Sequence, residues 1–251
     1  MSDAVATAGV SGLRSQAEPR LRWSPGRVAG TLVLVAWATL FWFLLATGRE
    51  AFYLSTRTDW VVPIAAVLLT AAAAGRLASA RIRSPEPLRS RELWIHALMV
   101  VPVLLVMVLP AATLGSFSAG SRAEFGGAGV SVRGIGDGAL TLVDVAAAQT
   151  TPEGERALAK RAGEVVAFVG FVTRYADTPA DELLLTRYVV TCCVADATVA
   201  QVRVVNVTPG AFDDNEWIEV SGAIYPLGRE VIVNASSVEP VPRPERPYLT
   251  A

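Results

Sequence analysis

An uncharged apolar run at residues 28–47 constrains the fold more than any other feature of this sequence. At about 1.5 Å per residue, a helix of this length crosses a hydrocarbon core about 30 Å thick. The basic segment before the run is long, and the apolar core exceeds that of a usual secretory signal peptide. We therefore predict a retained transmembrane helix, with a cleaved signal peptide as the alternative.

Two further apolar runs follow, at residues 60–77 and 93–114. The third run contains Pro102 and Pro110. Proline lacks a backbone N–H, so Pro102 frees a carbonyl one turn earlier, and in lipid that carbonyl needs another partner. We expect this turn to face a neighbouring helix, and we predict three transmembrane helices in all.

The charges divide the chain into two parts. Up to Gly120 there are 11 basic residues against 6 acidic ones, and beyond it 11 basic against 17 acidic. Arginine is concentrated in the tail 1–27, predicted to be disordered, and between the second and third helices. The positive-inside rule places both in the cytoplasm. The prediction is a multi-pass plasma-membrane protein with a cytoplasmic N-terminus and an extracytoplasmic C-terminal domain. Without a spanning second helix, that domain would be cytoplasmic.

Beyond the membrane half, residues 115–138 are rich in Gly, Ser and Ala, and this composition predicts a flexible linker. A β domain is predicted over 139–238, because apolar residues there recur with period two after a short amphipathic segment. A Pro-rich tail, 239–251, ends the chain. The five predicted strands are 164–173, 183–191, 199–207, 217–225 and 231–238.

Five short strands favour a small OB-like Greek-key barrel, with a small sandwich as the alternative. Gly170 in the first strand marks an expected bulge or bend, and a second strand glycine, Gly222 in the fourth, also favours the barrel. The acidic balance of this domain argues against nucleic acid as a partner. The sequence contains no recognisable catalytic set or phosphate-binding loop, so we do not expect an enzyme.

The two cysteines of the chain, Cys192 and Cys193, are adjacent, and Asp196 follows three residues later. In an extended strand their side chains would point to opposite faces unless a bulge brings them together. Three hypotheses stay open: thiols packed inside the barrel, thiol redox chemistry, or a site for a soft ion such as Zn or Cu(I). A metal site would use Cys192, Cys193 and Asp196, and a partner or second copy would complete it.

The only histidine, His96, lies in the third apolar run. One interpretation is an interfacial ring that reaches the lipid headgroups. The other is a polar group on a transport path, because ionisable residues inside a membrane are usually functional. The helices contain no acidic partner that would support a proton relay.

The segments GFVTR (170–174), RYVVTCCVADA (187–197) and WIEVSGAIY (217–225), together with the membrane helices, resemble a bacterial family of two-component permease subunits. In that family a membrane-anchored protein with a C-terminal CCxADA-containing domain acts with a separate polytopic permease. The resemblance implies an accessory or regulatory permease subunit in the bacterial cell membrane, with its β domain near the substrate path. His96 also fits. The alternative function is an envelope metal-binding or redox-sensing membrane protein without a transport role.

Overall fold

The computed structural model describes residues 22–82, 88–110, 113–122, 124, 126–127, 138–228 and 230–250. Most of the predicted disordered tail and much of the predicted linker lie outside these residues.

Three long helices form the N-terminal half: α1 (Pro25–Thr47), α2 (Val61–Ala78) and α3 (Ser90–Val108). All three are long and apolar enough to cross a membrane. Most apolar side chains of α2 and α3 are exposed, as expected of surfaces that face lipid rather than water. The predicted helical half is therefore confirmed, and the three candidate spans indicate a membrane-associated protein.

Helix α1 is the centre of this half, because both α2 and α3 pack against it. Two indole groups on α1 add hydrogen bonds between helices. Trp42 Nε1 donates to Thr70 Oγ1 on α2 at 3.1 Å, and Trp37 Nε1 donates to the Met99 carbonyl on α3 at 3.1 Å. In an apolar surrounding such bonds hold helices together where hydrophobic burial contributes little.

Two prolines shape α3. Pro102 lies inside the helix and removes the donor for the Leu98 carbonyl, and the adjacent Met99 carbonyl is the one that Trp37 contacts. The contact with α1 thus involves the carbonyl beside the freed one, while the Leu98 side chain is 71% exposed. That the freed carbonyl faces a neighbouring helix stays a prediction. The helix ends at Val108, earlier than the apolar run, because Leu109 precedes Pro110 and is extended (φ −73°, ψ 140°).

Short elements connect and flank the long helices. Strands β1 (Arg22–Trp23) and β2 (Arg81–Ile82) pair antiparallel, so the start of α1 is joined to the end of α2. Helix α4 (Ser116–Ala119) follows α3. Helices α5 (Leu142–Ala148) and α6 (Pro152–Ala159) precede the β domain.

The C-terminal half is a closed five-stranded barrel. Its strands are β3 (Val165–Thr173), β4 (Leu183–Val190), β5 (Thr198–Val205), β6 (Trp217–Leu227) and β7 (Glu230–Pro240). The strand order is β3-β6-β7-β5-β4, and β4 pairs with β3 to close it. Strands β5 and β7 run parallel, whereas the other barrel pairs are antiparallel. This confirms the predicted all-β barrel.

The two strand glycines serve different purposes. Pairing of β3 continues without a register shift past Gly170, where β3 passes from β6 to β4. A Cβ at Gly170 would lie 2.8 Å from the Thr186 carbonyl oxygen, so glycine allows the close approach that closes the barrel. The register shift lies instead between Ser221 and Gly222 on β6.

The barrel has an apolar core closed by α5 and α6, and a second cluster lies on its outside. In the second cluster the Tyr188 hydroxyl donates to the Gly115 carbonyl at 2.7 Å, and the Leu114 amide donates to the Tyr248 hydroxyl at 3.2 Å. The start of the predicted linker thus packs on the barrel. The C-terminal tail also packs there, because β8 (Leu249–Thr250) pairs parallel with β4.

Candidate metal centre

The candidate site is a turn that begins where β4 ends at Val190. The Asp196 carboxylate, at the end of the short 3-10 helix Val194–Asp196, holds the backbone of this turn in place. This carboxylate accepts hydrogen bonds from the backbone amides of Thr191 (2.9 Å), Cys192 (2.8 Å) and Cys193 (3.2 Å). Three converging amides fix the backbone of both cysteines and leave their side chains on one side of the turn.

The structure brings together the three side chains that the sequence singled out. The Sγ atoms of Cys192 and Cys193 are 3.8 Å apart, and Cys192 Sγ lies 2.7 Å from Asp196 Oδ2. All three ligand atoms lie within 4.8 Å of one another. The expectation that the cysteines point to opposite faces does not apply, because the strand stops before them. Cys192 is exposed and Cys193 half-buried, so neither thiol belongs to the barrel core.

The contact with Asp196 controls the protonation of the site. The hydrogen bond to Asp196, followed by that to Cys193, raises the pKa of the Cys192 thiol to about 11. For Asp196, burial raises the pKa, but the hydrogen bonds from the Cys192 thiol and the three amides together lower it below its ordinary value. At neutral pH the turn therefore contains an ionised carboxylate and a protonated Cys192 thiol.

The donor set fits a soft metal ion. Two thiols and one carboxylate are ligands that Zn and similar ions accept, and Cu(I) favours the sulfur atoms. Cys192 and Asp196 now share one proton, and an ion could replace it. Three ligands leave one position of a tetrahedral site open, and within the described part of the chain no fourth His, Cys, Asp or Glu joins the group. An incomplete sphere suits an ion that is exchanged rather than one that is locked in place.

The site lies against the loop between α1 and α2. The Cys192 carbonyl accepts hydrogen bonds from the Ser55 amide (3.2 Å) and the Thr58 hydroxyl (2.6 Å). On the other side of the turn, the Val194 amide donates to the Tyr53 carbonyl at 2.9 Å, and Leu54 forms an isolated β-bridge with Cys193. The cysteine turn is thus the point where the barrel contacts the connection between two candidate spans.

Sequence reasoning missed the residues that clamp this turn. Arg122 Nη1 donates to the carbonyls of Val194 (3.3 Å) and Ala197 (3.0 Å), although Arg122 falls in the predicted linker. The one feature of the sequence that could have pointed to Arg122 is its charge within a run of small residues. Arg246 pairs with Asp59 at 3.1 Å and attaches the C-terminal tail to the same loop.

His96 is not part of this group. It lies half-buried on α3, and its Nδ1 is 2.6 Å from the Glu92 carbonyl oxygen, one turn earlier. That bond within its own helix satisfies one ring nitrogen, and it leaves both interpretations of His96 open.

Comparison with known proteins locates a family signature in the C-terminal half. Residues 141–250 match the family model described as the DUF1980 C-terminal domain. The matched region contains α5, α6, the barrel and all three candidate ligands. A search of curated proteins finds no match for the chain.

Proposed function

We propose that this chain is the membrane-anchored accessory subunit of a permease complex and that it binds a soft metal ion at Cys192, Cys193 and Asp196. One observation carries the proposal: the three ligand atoms lie within 4.8 Å of one another on the turn that contacts the α1–α2 loop, with Cys192 exposed and Cys193 half-buried. A metal ion bound there would sit where the barrel meets the candidate membrane spans. That position suits delivery of the ion to a polytopic partner in the membrane, or sensing of the ion on its behalf.

In this proposal the residues of the site bind the metal ion and release protons as they do so. Cys192 and Cys193 would hold the ion as thiolates, so binding of one ion would release up to two protons. Asp196 holds the cysteine backbone through its amide contacts and keeps the Cys192 thiol protonated until an ion arrives. The proposal assigns binding and transfer to this site, without a catalytic step.

The permease role draws its support from the resemblance of the cysteine segment and barrel strands to two-component permease subunits. The three candidate spans are consistent with that role, because much apolar surface of α3 is not covered by α1 or α2. Thiol redox sensing is the weaker alternative. A sensor cysteine needs a thiolate, and the contact with Asp196 raises the pKa of Cys192.

Two measurements on the full chain in detergent test the proposal. First, the metal-free protein is titrated with Zn or with Cu(I) against a chelator, beside the double variant Cys192→Ser with Cys193→Ser. We expect one equivalent for the native chain and loss of binding for the variant. Asp177→Asn, an exposed acid distant in sequence from the turn, is the control and should bind as the native chain does. Equal binding by the double variant would refute the metal site.

The second measurement tests the permease role separately. The chain is co-expressed with a polytopic permease of the resembling two-component family, and co-purification from mild detergent is measured together with metal-dependent transport. Stable co-purification supports the subunit role. Metal binding without any co-purification would instead favour the envelope metal-binding protein, the alternative from the sequence.

A further inference from the structure

The end of the helical half that lies away from the barrel carries a concentrated positive charge. The C-terminal end of α1 leads into the loop that contacts the cysteine turn, so the start of α1 and the end of α2 lie at the opposite end. Over residues 22–30, 74–82 and 88–92 the chain has six arginines and one acid, Glu92. Such a surface attracts the anionic headgroups of a bilayer.

Specific contacts hold part of this surface in place. Arg27 Nη1 donates to the Ser79 carbonyl, and the Ser24 amide donates to the Ala80 carbonyl at 2.9 Å. The Arg76 guanidinium lies against Gly30, where a Cβ would come within 2.7 Å of its Nε. These contacts join the start of α1 to the end of α2. Across the residues that the structure describes, Arg27, Arg76 and Arg81 form no salt bridge with an acid.

A groove opens beside this junction. Its volume is about 440 Å³, and its lining consists of Trp23, Ala74, Leu77, Ala78 and Arg81. The wall is apolar except at Arg81, whose guanidinium lies 4.8 Å from the centre of the Trp23 ring. Pairing of Trp23 with Arg81 in the β1–β2 ribbon fixes both side chains on one face of the ribbon. The groove therefore combines a fixed cation at its rim with an apolar wall that continues into a candidate membrane span.

We propose that this groove binds one anionic phospholipid. The phosphate would contact Arg81, and the upper part of one acyl chain would lie along Leu77 and Ala74 beneath the Trp23 ring. Charge complementarity selects the headgroup: a zwitterionic lipid brings a cation of its own toward Arg81, whereas an anionic one does not. The position of the groove at the end of a candidate span selects a lipid over a soluble phosphate compound, since a headgroup at that end has its acyl chain beside α2.

The test measures lipid retained by the full chain after purification in detergent with equimolar phosphatidylglycerol and phosphatidylcholine. Native mass spectrometry counts the bound lipids. We expect a preference of about fivefold for phosphatidylglycerol, the size expected of one juxtamembrane cation. Arg81→Gln should abolish that preference, whereas Arg81→Lys should keep most of it. Trp23→Ala should lower retention of both lipids, because it removes a wall of the groove.

Arg57→Gln is the matched control, because Arg57 is an exposed arginine in the loop at the barrel end. It should leave the preference unchanged, and thermal unfolding should show that every compared variant is folded. Equal retention of the two lipids by the native chain, or an equal effect of Arg57→Gln and Arg81→Gln, would overturn the proposal. Displacement of phosphatidylglycerol by an equal concentration of inorganic phosphate would overturn the choice of a lipid as ligand.

Discussion

The hydroxyl of Thr58 donates a 2.6 Å hydrogen bond to the carbonyl oxygen of Cys192, a residue 134 positions later in the chain. Thr58 lies just before α2, and Cys192 carries one of the candidate metal ligands. The same carbonyl also accepts the Ser55 amide. The connection between two candidate spans therefore sets the position of the cysteine backbone. A movement of the α1–α2 loop should shift the cysteine turn, and a movement of the turn should shift the loop.

Thr58→Val should loosen this contact, because valine keeps the shape of threonine and lacks its hydroxyl. We expect the free energy of unfolding to fall by about 1 kcal/mol, the usual contribution of one hydrogen bond. Hydrogen exchange of the Ser55 and Val194 amides should become faster, since both donate across the same boundary. Thr56→Val is the control: its hydroxyl pairs with that of Thr250 in an exposed position and should affect neither amide. Unchanged exchange in Thr58→Val would contradict a coupling role.

Metal affinity should rise steeply with pH. The pKa of Cys192 is raised to about 11, so its thiol is protonated throughout the neutral range and the ion must displace that proton. If two protons leave, the apparent affinity increases up to about a hundredfold for each pH unit. Chelator competition at pH 6, 7 and 8 measures the slope. A flat profile would mean that the thiols are not the ligands.

Asp196→Asn should separate the two effects of the carboxylate. Loss of its charge lets the pKa of Cys192 fall toward the ordinary value, so the thiol should react faster with maleimide at pH 8. The thiolate fraction changes about tenfold for each unit of pKa. Metal affinity should nevertheless fall about 10- to 100-fold, as for other lost ligands or their supports. Slower labelling of the variant would show that Asp196 does not hold the thiol proton.

Gly170→Ala should weaken the barrel where it closes. The added Cβ would lie 2.8 Å from the Thr186 carbonyl oxygen, and backbone on both strands would have to move. We expect a loss of about 1–3 kcal/mol, the usual cost of overpacking, seen as a lower unfolding temperature. Gly75→Ala provides the comparison, because a Cβ there meets nothing within 4 Å and alanine favours helix. Equal stability of the two variants would argue against a steric requirement at Gly170.

Trp37→Phe should weaken the attachment of α3 to α1. Phenylalanine keeps an aromatic ring but cannot donate to the Met99 carbonyl beside the proline turn. We expect the free energy of unfolding to fall by about 1 kcal/mol, which is typical of hydrogen bonds between membrane helices. Unfolding in mixed micelles measures it, with Trp94→Phe as the control because the Trp94 side chain is 77% exposed. A similar loss in both variants would point to ring volume instead of the hydrogen bond.

Local patterns were sufficient to predict much of the fold. Apolar length predicted three helices, and period-two alternation with glycines in the first and fourth strands predicted the barrel. The end of α3 at Val108 also has a local cause in Pro110, although the apolar composition of residues 109–114 concealed it. The bulge at Gly222 rather than Gly170 could not be predicted, because it depends on which partner strand approaches each glycine.

The candidate site likewise has a part that the sequence predicts and a part that only the tertiary structure shows. Cys192, Cys193 and Asp196 are close together in the sequence and are recognisable as a candidate site, because thiols and carboxylates are both ligands of Zn. Whether their side chains converge was decided by the tertiary structure, because β4 stops at Val190 and three amides turn toward Asp196. The clamp by Arg122 and the contact with Thr58 join residues far apart in the chain. Hydropathy and periodicity describe residues that are near one another along the chain, so the sequence determined the elements, and only the folded chain decided which distant residues meet.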